Sequence, residues 1–305
     1  MYGKIRLTIN SLGQYQRTSN PLPMKITKNI LLPGAAGLPI SLDIFFLEGE
    51  GPKPVLLYVH GFNGFKDWGN FDLMAAPACN MGFVLVKFNF SHNGTSPEAP
   101  ESFVNLEAFG QNNYSKQLSD LKTVVDWVAD PDNVYAVNIN PDALYLVGHS
   151  MGGGISILFA AGDKRIKKLV TWASISECKT PWGNWPVEKM VEWKRTGVQY
   201  YLNSRTAQQM PLYYQLYEDY IEHQKRLDIK TAISGLQIPI LICHGTNDAA
   251  VPIEKANDLH SFQPNAKLFT VDSDHVFGRK HPWPDQTLPV AMQTVLQKTL
   301  QFLNQ

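Results

Sequence analysis

A serine flanked by glycines lies near the middle of the chain, where residues 148–152 read Gly-His-Ser-Met-Gly. The apolar residues 144–147 precede it, and small residues suited to the start of a helix follow it. A Gly-x-Ser-x-Gly pattern between a strand and a helix predicts a tight turn that presents the serine hydroxyl. We therefore expect Ser150 to be a nucleophile, and the alternative is an idle serine on a glycine-rich turn.

A serine hydroxyl is a weak nucleophile until a base takes its proton. Two later segments supply the partners, since residues 240–243 lead into a turn that carries Asp248, and residues 267–271 are followed by His275. The order serine, acid, histidine suits this type of turn. We expect His275 to be the general base and then the general acid, with Asp248 orienting its imidazole.

Other residues compete for these roles. Asp272 or Asp274 could be the acid, although both lie too close to His275 to come from a separate loop, and Asp274 could only shape the turn. Asp248 could merely stabilise its own turn, and His281 is a rival base. A metal site built from these carboxylates and histidines lacks a recognised ligand spacing, and no Gly-x-Gly-x-x-Gly follows a strand, so we expect no metal and no cofactor.

Hydrolysis of an acyl bond also needs amide donors for the oxyanion. The amide of Met151 follows the nucleophile directly, and a second amide is expected from the loop of residues 60–64, His-Gly-Phe-Asn-Gly. We assign the Phe62 amide to this role, with Gly61 allowing close approach and His60 holding the loop. The alternative is an ordinary glycine-containing turn.

Short apolar runs alternate with longer helical patterns along the chain, which is typical of α/β proteins. The predicted buried strands are residues 55–59, 83–88, 144–147, 168–173, 240–243 and 267–271, and the predicted helices are residues 70–80, 114–129, 152–161 and 286–303. Upstream, residues 24–31 and 40–47 are expected to pair antiparallel at the edge of the sheet.

Residues 176–236 separate two predicted strands by more than an ordinary crossover, which indicates an inserted cap or lid. Residues 198–212 could form a hairpin and residues 212–227 a helix. The insertion is rich in Trp and Tyr, and these rings could pack within the insertion or line an acyl pocket. The loop of residues 89–96 could contact substrate or only support its neighbours.

Composition excludes several classes of function. The 305 residues are 44% hydrophobic and carry no net formal charge, so no nucleic-acid partner is expected. No stretch approaches the ~20 apolar residues of a membrane span, and the N-terminus lacks the apolar core of a signal peptide. Cys79, Cys178 and Cys243 are isolated, which favours reduced, buried thiols and a cytoplasmic location.

The motifs together resemble those of the α/β-hydrolase superfamily, and most of all its carboxylesterase branches, the cinnamoyl or feruloyl esterase-like and dienelactone hydrolase-like proteins. The resemblance rests on residues 60–64, 148–152, 244–248 and 274–275, in that order. It implies a doubly wound, mostly parallel sheet with helices on both faces and a cap inserted between two late strands.

The same resemblance implies a domain division and an activity. The hydrolase core would comprise residues 24–175 and 237–305, the cap residues 176–236, and an N-terminal extension residues 1–23. The expected function is a serine hydrolase that cleaves a carboxylic ester of a small-molecule acyl substrate, with an aromatic or short acyl group, through a covalent acyl-enzyme. The alternatives are a peptidase or amidase, for which Arg205 could bind a carboxylate, and a catalytically silent binding protein.

Overall fold

The structure is a computed structural model that describes residues 7–9, 15–17, 23–49, 51–203 and 205–305. Its strands are β1 (Leu7–Ile9), β2 (Tyr15–Arg17), β3 (Met24–Pro33), β4 (Pro39–Leu47), β5 (Lys53–Val59), β6 (Val84–Asn89), β7 (Ile139–His149), β8 (Ile166–Trp172), β9 (Val198–Asn203), β10 (Gln208–Tyr213), β11 (Ile240–Gly245) and β12 (Lys267–Val271). Its α-helices are α1 (Ala75–Asn80), α2 (Leu106–Gly110), α3 (Tyr114–Ala129), α4 (Met151–Gly162), α5 (Val187–Thr196), α6 (Gln215–Glu222), α7 (Ile229–Gly235), α8 (Glu254–Phe262) and α9 (Val290–Leu303).

Eight of these strands form one sheet in the order β12-β11-β8-β7-β5-β6-β4-β3. Neighbours from β12 to β6 run parallel, whereas β4 pairs antiparallel with both β6 and β3. The prediction of a doubly wound, mostly parallel sheet with an antiparallel edge is therefore confirmed. Outside this sheet, β1 pairs with β2, and most of the predicted N-terminal extension lies outside the described residues.

The hydrophobic core lies on both faces of the sheet, because successive side chains of a strand point in opposite directions. Leu57 of β5 joins the core cluster that contains Leu121 of α3 and Ile155 of α4. Its neighbour Leu56 joins the cluster on the other face, together with Leu296 of α9. Strands buried on both faces read as continuous apolar runs, which is why the sequence identified them.

Helix boundaries differ from the predictions where local chemistry intervenes. The segment predicted as one helix over residues 70–80 begins with a 3₁₀ turn (Phe71–Met74), which follows Asn70 with its left-handed φ of 55°. The last helix begins at Val290 rather than at residue 286, after Pro289 at its N-cap. Helix α6 is shorter than the predicted 212–227, because β10 extends to Tyr213. The short helices α2, α5, α7 and α8 were not predicted.

The segment between β8 and β11 contains α5, the antiparallel hairpin β9–β10, α6 and α7, so the predicted hairpin is present. Its aromatic rings pack mainly against one another, with centroid separations of 5.1–6.5 Å. The cluster comprises Trp182, Trp185, Trp193, Tyr214, Tyr217 and Tyr220. The cluster is continuous with the core on one face of the sheet, which includes Trp182 and Trp193. A lid function for the segment stays a prediction.

Two further features concern the whole chain. The three cysteines are buried and unpaired, as predicted. None of the helices in the described part of the chain has the length and apolar character to cross a bilayer. The location in the cell stays a prediction.

Candidate active site

Ser150 occupies the turn between β7 and α4 in a strained backbone conformation, with φ 55° and ψ −122°. This left-handed φ is costly for a residue with a side chain, and it persists only where the surroundings enforce it. The Ser150 amide donates to the carbonyl of Trp172 at 2.8 Å, and the Ser150 carbonyl accepts from Gly153 at 2.9 Å. A Cβ on Gly148 would lie 2.4 Å from the Gly152 oxygen, so the turn closes only with glycine there.

His275 and Asp248 meet at the same edge of the sheet, beyond the carboxyl ends of β12 and β11. The Nδ1–H of His275 donates to Oδ2 of Asp248 at 2.7 Å. The other carboxylate oxygen accepts from the amides of Ala250 and Val251 at 2.9 and 2.8 Å. Both oxygens are engaged, so the carboxylate can hold the imidazole in one orientation and one tautomer.

The electrostatic surroundings keep Asp248 ionised. Burial raises the pKa of the Asp248 carboxyl, but hydrogen bonds from His244, His275 and the Val251 amide outweigh burial and hold this pKa well below its usual range. The His244 Nε2 lies 3.4 Å from Asp248 Oδ2 and donates to the Val251 carbonyl at 2.8 Å. His244 is therefore a second histidine beside the oxygen that His275 contacts.

His149, beside the serine, also supports His275, a role that the sequence reasoning missed. Its Nε2–H donates to the backbone carbonyl of His275 at 2.9 Å, and the two rings lie 4.8 Å apart. Burial, with the nearby His275 and Arg279, lowers the pKa of His149 well below its usual value, so the ring is a neutral donor. Its position between the glycine and serine of the motif was the only available signal.

Two backbone amides lie beside the serine without a protein acceptor. In the described ranges, neither the Phe62 amide nor the Met151 amide donates a hydrogen bond to the protein. A Cβ on Gly61 would lie 2.8 Å from the Ser150 Cβ and 3.4 Å from the Met151 nitrogen. The loop that carries Phe62 therefore touches the serine turn, and only glycine allows this approach.

Buried polar side chains hold the Phe62 loop in place. His60 Nε2 accepts from the Phe90 amide at 3.3 Å, while its Nδ1 bonds to the Gly61 carbonyl at 2.9 Å. Burial lowers the pKa of His60 to about 4, so this pairing uses the neutral ring. The Lys66 amide donates to Asn89 Oδ1 at 2.6 Å, which assigns a supporting role to the loop of residues 89–96.

Three carboxylates, those of Asp43, Asp67 and Asp72, lie close enough together to hold a metal ion. Lysine ammonium groups already lie among them. The Lys66 Nζ lies 2.8 Å from Asp43 and 2.6 Å from Asp67, and the Lys87 Nζ lies 3.3 Å from Asp43 and 2.5 Å from Asp72. Since Lys66 follows the Phe62 loop, this ion-pair cluster anchors that loop to β4 and β6.

A cavity of about 600 Å³ opens over the serine, and Ser150, His275 and Phe62 all line it. Its other walls combine apolar residues (Ile175, Pro181, Val251 and Pro252) with charged ones (Glu177, Lys179 and Lys255). The Trp and Tyr rings of the insertion cluster do not line this cavity. Among the described residues the Ser150 hydroxyl makes no side-chain hydrogen bond, and what it shares with His275 is the lining of this cavity.

The residues that the sequence offered as alternatives for the acid, the base and a carboxylate-binding group make other contacts. Asp274 Oδ1 accepts from the amides of Val276 and Gly278 at 3.1 and 2.8 Å, so it shapes the turn after His275. His281 Nδ1 accepts from the Gly69 amide at 3.1 Å. The Arg205 guanidinium lies over the rings of Phe65 and Phe103, at 5.3 and 5.5 Å from their centroids, rather than along the wall of the Ser150 cavity.

Comparison with models of known families gives a match to the BD-FAE family over residues 42–262, which is well over half of the chain. The chain belongs to the BD-FAE family of esterase-like α/β hydrolases. This membership agrees with the superfamily that the motifs indicated.

Curated relatives of this BD-FAE family member match more than half of its length. The chain is 24% identical over 188 residues to the protein YfhR of Salmonella typhimurium, covering 58% of this chain and 56% of YfhR. It is 28% identical over 217 residues to the "Uncharacterized peptidase YuxL" of Bacillus subtilis, covering 70% of this chain and 28% of YuxL. The chain therefore spans about half of YfhR and less of YuxL.

Solved structures extend the likeness to nearly the full chain. Est1E from Butyrivibrio proteoclasticus, solved with ferulic acid bound, has a TM-score of 0.65 and 19% identity, covering 90% of this chain and 97% of Est1E. The α/β hydrolase GrgF from Penicillium sp. sh18 has a TM-score of 0.65 and 17% identity, covering 92% of this chain and 98% of GrgF. At these identities the likeness shows the shared fold.

Proposed function

We propose that this BD-FAE family protein is a serine hydrolase that cleaves carboxylic esters through a covalent acyl-enzyme. The Ser150 oxygen attacks the ester carbonyl carbon while its proton passes to His275 Nε2. The amides of Phe62 and Met151 donate to the oxyanion that forms. His275 then gives the proton to the leaving alcohol, the C–O bond breaks, and Ser150 is left acylated.

Water completes the cycle. His275 takes a proton from the water, the hydroxide oxygen attacks the acyl carbon, and the carboxylic acid leaves as Ser150 regains its proton. The Asp248 carboxylate stabilises the imidazolium in both halves. No step needs a metal or an organic cofactor.

One observation carries the proposal, namely the 2.7 Å hydrogen bond from His275 Nδ1 to Asp248. That bond leaves Nε2 as the ring nitrogen available to a hydroxyl, and His275 shares a cavity with a serine in a strained turn. Order along the chain and membership of an esterase-like family support the same conclusion.

The cavity also bears on the substrate. Its volume of about 600 Å³ exceeds what a short acyl group needs, and among the described residues Phe62 is the one Phe, Tyr or Trp that lines it. We propose an ester whose acyl or alcohol part carries polar substituents, since Glu177, Lys179 and Lys255 face the same space as apolar walls. Ferulic acid, bound in Est1E, is a polar aromatic acid of this general kind.

The test is turnover of a panel of p-nitrophenyl acyl esters and methyl hydroxycinnamates by wild type and Ser150→Ala. We expect Ser150→Ala to lose at least about 10³-fold in kcat. Replacement of the exposed Ser119 on α3 by alanine is the matched control and should leave turnover unchanged. A fluorophosphonate probe should label wild type and the Ser119 variant but not Ser150→Ala, and equal rates in all three proteins would end the proposal.

A peptidase or amidase on the same scaffold is the second candidate, favoured by the similarity to YuxL. The same catalytic groups would act, with an amine as the leaving group. Turnover of aminoacyl-β-naphthylamides well above that of the esters would select this second function.

A further inference from the structure

One side chain of the inserted segment reaches the loop that carries Phe62. The Tyr201 hydroxyl on β9 donates to Oδ1 of Asn63, a residue 138 positions earlier in the chain. Only Asn63 of this pair lines the cavity over Ser150. Tyr201 itself is not among the residues that line that space and reaches it through the neighbours it contacts.

Asn63 occupies a conformationally demanding position. Its φ is 57°, in the left-handed region that asparagine tolerates better than most residues. The turn is closed by a hydrogen bond from the Gly64 amide to the Gly61 carbonyl at 3.0 Å, with Phe62 and Asn63 in its central positions. The direction of the Phe62 amide therefore depends on the peptide planes of this turn, and the side chain of Asn63 is one of its anchors.

The ring of Tyr201 adds a second contact to the same turn. The Phe62 ring lies 5.6 Å from the Tyr201 ring and 5.6 Å from the Phe109 ring, so it is packed between the insertion and the core. Backbone and side chain of Phe62 are thus both restrained by groups that include Tyr201.

The hairpin that carries Tyr201 is itself fastened to the core. Gln208 Nε2 donates to the Phe103 carbonyl at 2.8 Å, and the Tyr213 hydroxyl donates to Glu107 at 2.5 Å. A Cβ on Gly110 would lie 2.8 Å from the Tyr213 ring, so α2 and β10 are in direct contact. The hairpin that carries Tyr201 is therefore held against the core by these contacts.

We propose that Tyr201 is a positioning residue for the reaction: its hydrogen bond to Asn63 and its packing on Phe62 aim the Phe62 amide at the oxyanion. The inference rests on the proposed hydrolase function. It gives the insertion a role in the chemical step that is separate from covering the cavity.

The experiment compares Tyr201→Phe with Tyr200→Phe, its neighbour on β9, which is 54% exposed. Loss of the Tyr201 hydroxyl should lower kcat about tenfold, a fraction of the loss expected for removing an oxyanion donor altogether. KM should stay within about twofold, because the uncharged carbonyl of the bound substrate interacts only weakly with the Phe62 amide, whereas the oxyanion depends on it. Tyr200→Phe should match wild type, and the thermal midpoints of both variants are measured alongside.

Asn63→Gly tests the other end of the bond. Glycine adopts a positive φ freely, so the turn persists without the acceptor. This variant should lose kcat to a similar extent, and the double variant should lose no more than the larger single loss, because both changes break one interaction. Affinity for a trifluoromethyl ketone, which forms an oxyanion on Ser150, should fall in parallel with kcat, while affinity for the product acid stays constant.

Unchanged kcat in Tyr201→Phe, or a change confined to KM, would overturn this inference. Additive losses in the double variant would do the same. Either result leaves the hydrolase proposal standing as long as Ser150→Ala is inactive. Activity retained by Ser150→Ala would instead remove the proposed function itself, whatever the Tyr201 variants show.

Discussion

At the scale of single residues, the site depends on how each polar atom around His275 is used. The Nδ1–H of His275 donates to Asp248, and the backbone carbonyl of His275 accepts from His149. The second carboxylate oxygen of Asp248 accepts from two backbone amides. Each commitment removes a way for the imidazole to rotate or change tautomer. In the part of the chain that the structure describes, the other ring nitrogen, Nε2, makes no hydrogen bond, and His275 lines the cavity.

Replacing Asp248 by asparagine should therefore lower kcat by about 10⁴-fold, because the amide cannot stabilise an imidazolium and favours the wrong tautomer. KM should change little. Steady-state kinetics on a p-nitrophenyl ester measure both constants.

Asp272→Asn is the matched control for this prediction. Asp272 lies three residues before His275, is exposed, and accepts from Asn247 at 2.6 Å rather than from a histidine. It should keep wild-type activity. An Asp248→Asn protein within tenfold of wild type would show that another acid supports His275.

At the scale of elements, parallel strands bring the site together. Strands β5, β7, β11 and β12 end at one edge of the sheet, and the loops that follow carry Phe62, Ser150, Asp248 and His275 respectively. Glycines let these loops approach one another. Where the β11 loop meets the β12 loop, the contact is backbone to backbone.

Gly245, at the end of β11, provides the sharpest test of that contact. A Cβ there would lie 2.3 Å from the Ser273 carbonyl oxygen and 2.6 Å from the Asp274 carbonyl oxygen, in the segment that leads directly into His275. Gly245→Ala should lower the free energy of unfolding by about 1–3 kcal/mol and lower kcat at least about tenfold. Urea denaturation and ester kinetics measure the two effects.

Gly162→Ala, at the end of α4, is the control, since no atom lies within 4 Å of the point that its new methyl group would occupy. It should leave kcat unchanged and stabilise the protein slightly, by up to about 1 kcal/mol. If Gly245→Ala behaves like this control, close packing of the two loops is not what places His275.

At the scale of the whole molecule, buried histidines make stability depend on pH. Burial lowers the pKa of His60, His92 and His281 to about 4, and that of His149 well below its usual value. In the unfolded chain a histidine titrates near pH 6.5. The folded protein therefore holds these rings neutral over a range in which the unfolded chain binds protons.

The sign follows from this difference. Since the unfolded state binds more protons below about pH 6.5, the free energy of unfolding should be highest above that pH and fall as the pH drops toward 4. Urea denaturation at pH 7.5, 6.0 and 5.0 at constant ionic strength measures the trend, with refolding checked at each pH. A free energy of unfolding that stays constant from pH 7.5 to 5.0 would contradict the buried, neutral state of these rings.

The sequence alone determined the fold class, the central strands and the order of the chemistry-bearing residues. These features depend on local patterns. Apolar runs mark strands that are buried on both faces of a sheet, and the turn at Ser150 is specified by the serine and its two flanking glycines. The motif spacing also predicts Ser150, Asp248 and His275 as one group, because strand ends of a parallel sheet share an edge.

Only the tertiary structure decided which side chains support that group. The His149 bond to the His275 carbonyl, the Lys66 and Lys87 contacts with Asp43, and the Tyr201 bond to Asn63 join positions far apart in the chain. No local pattern encodes such contacts, since they depend on which strands are neighbours and on where each side chain points. For the same reason the aromatic insertion could be read as pocket or as packing until its rings were located.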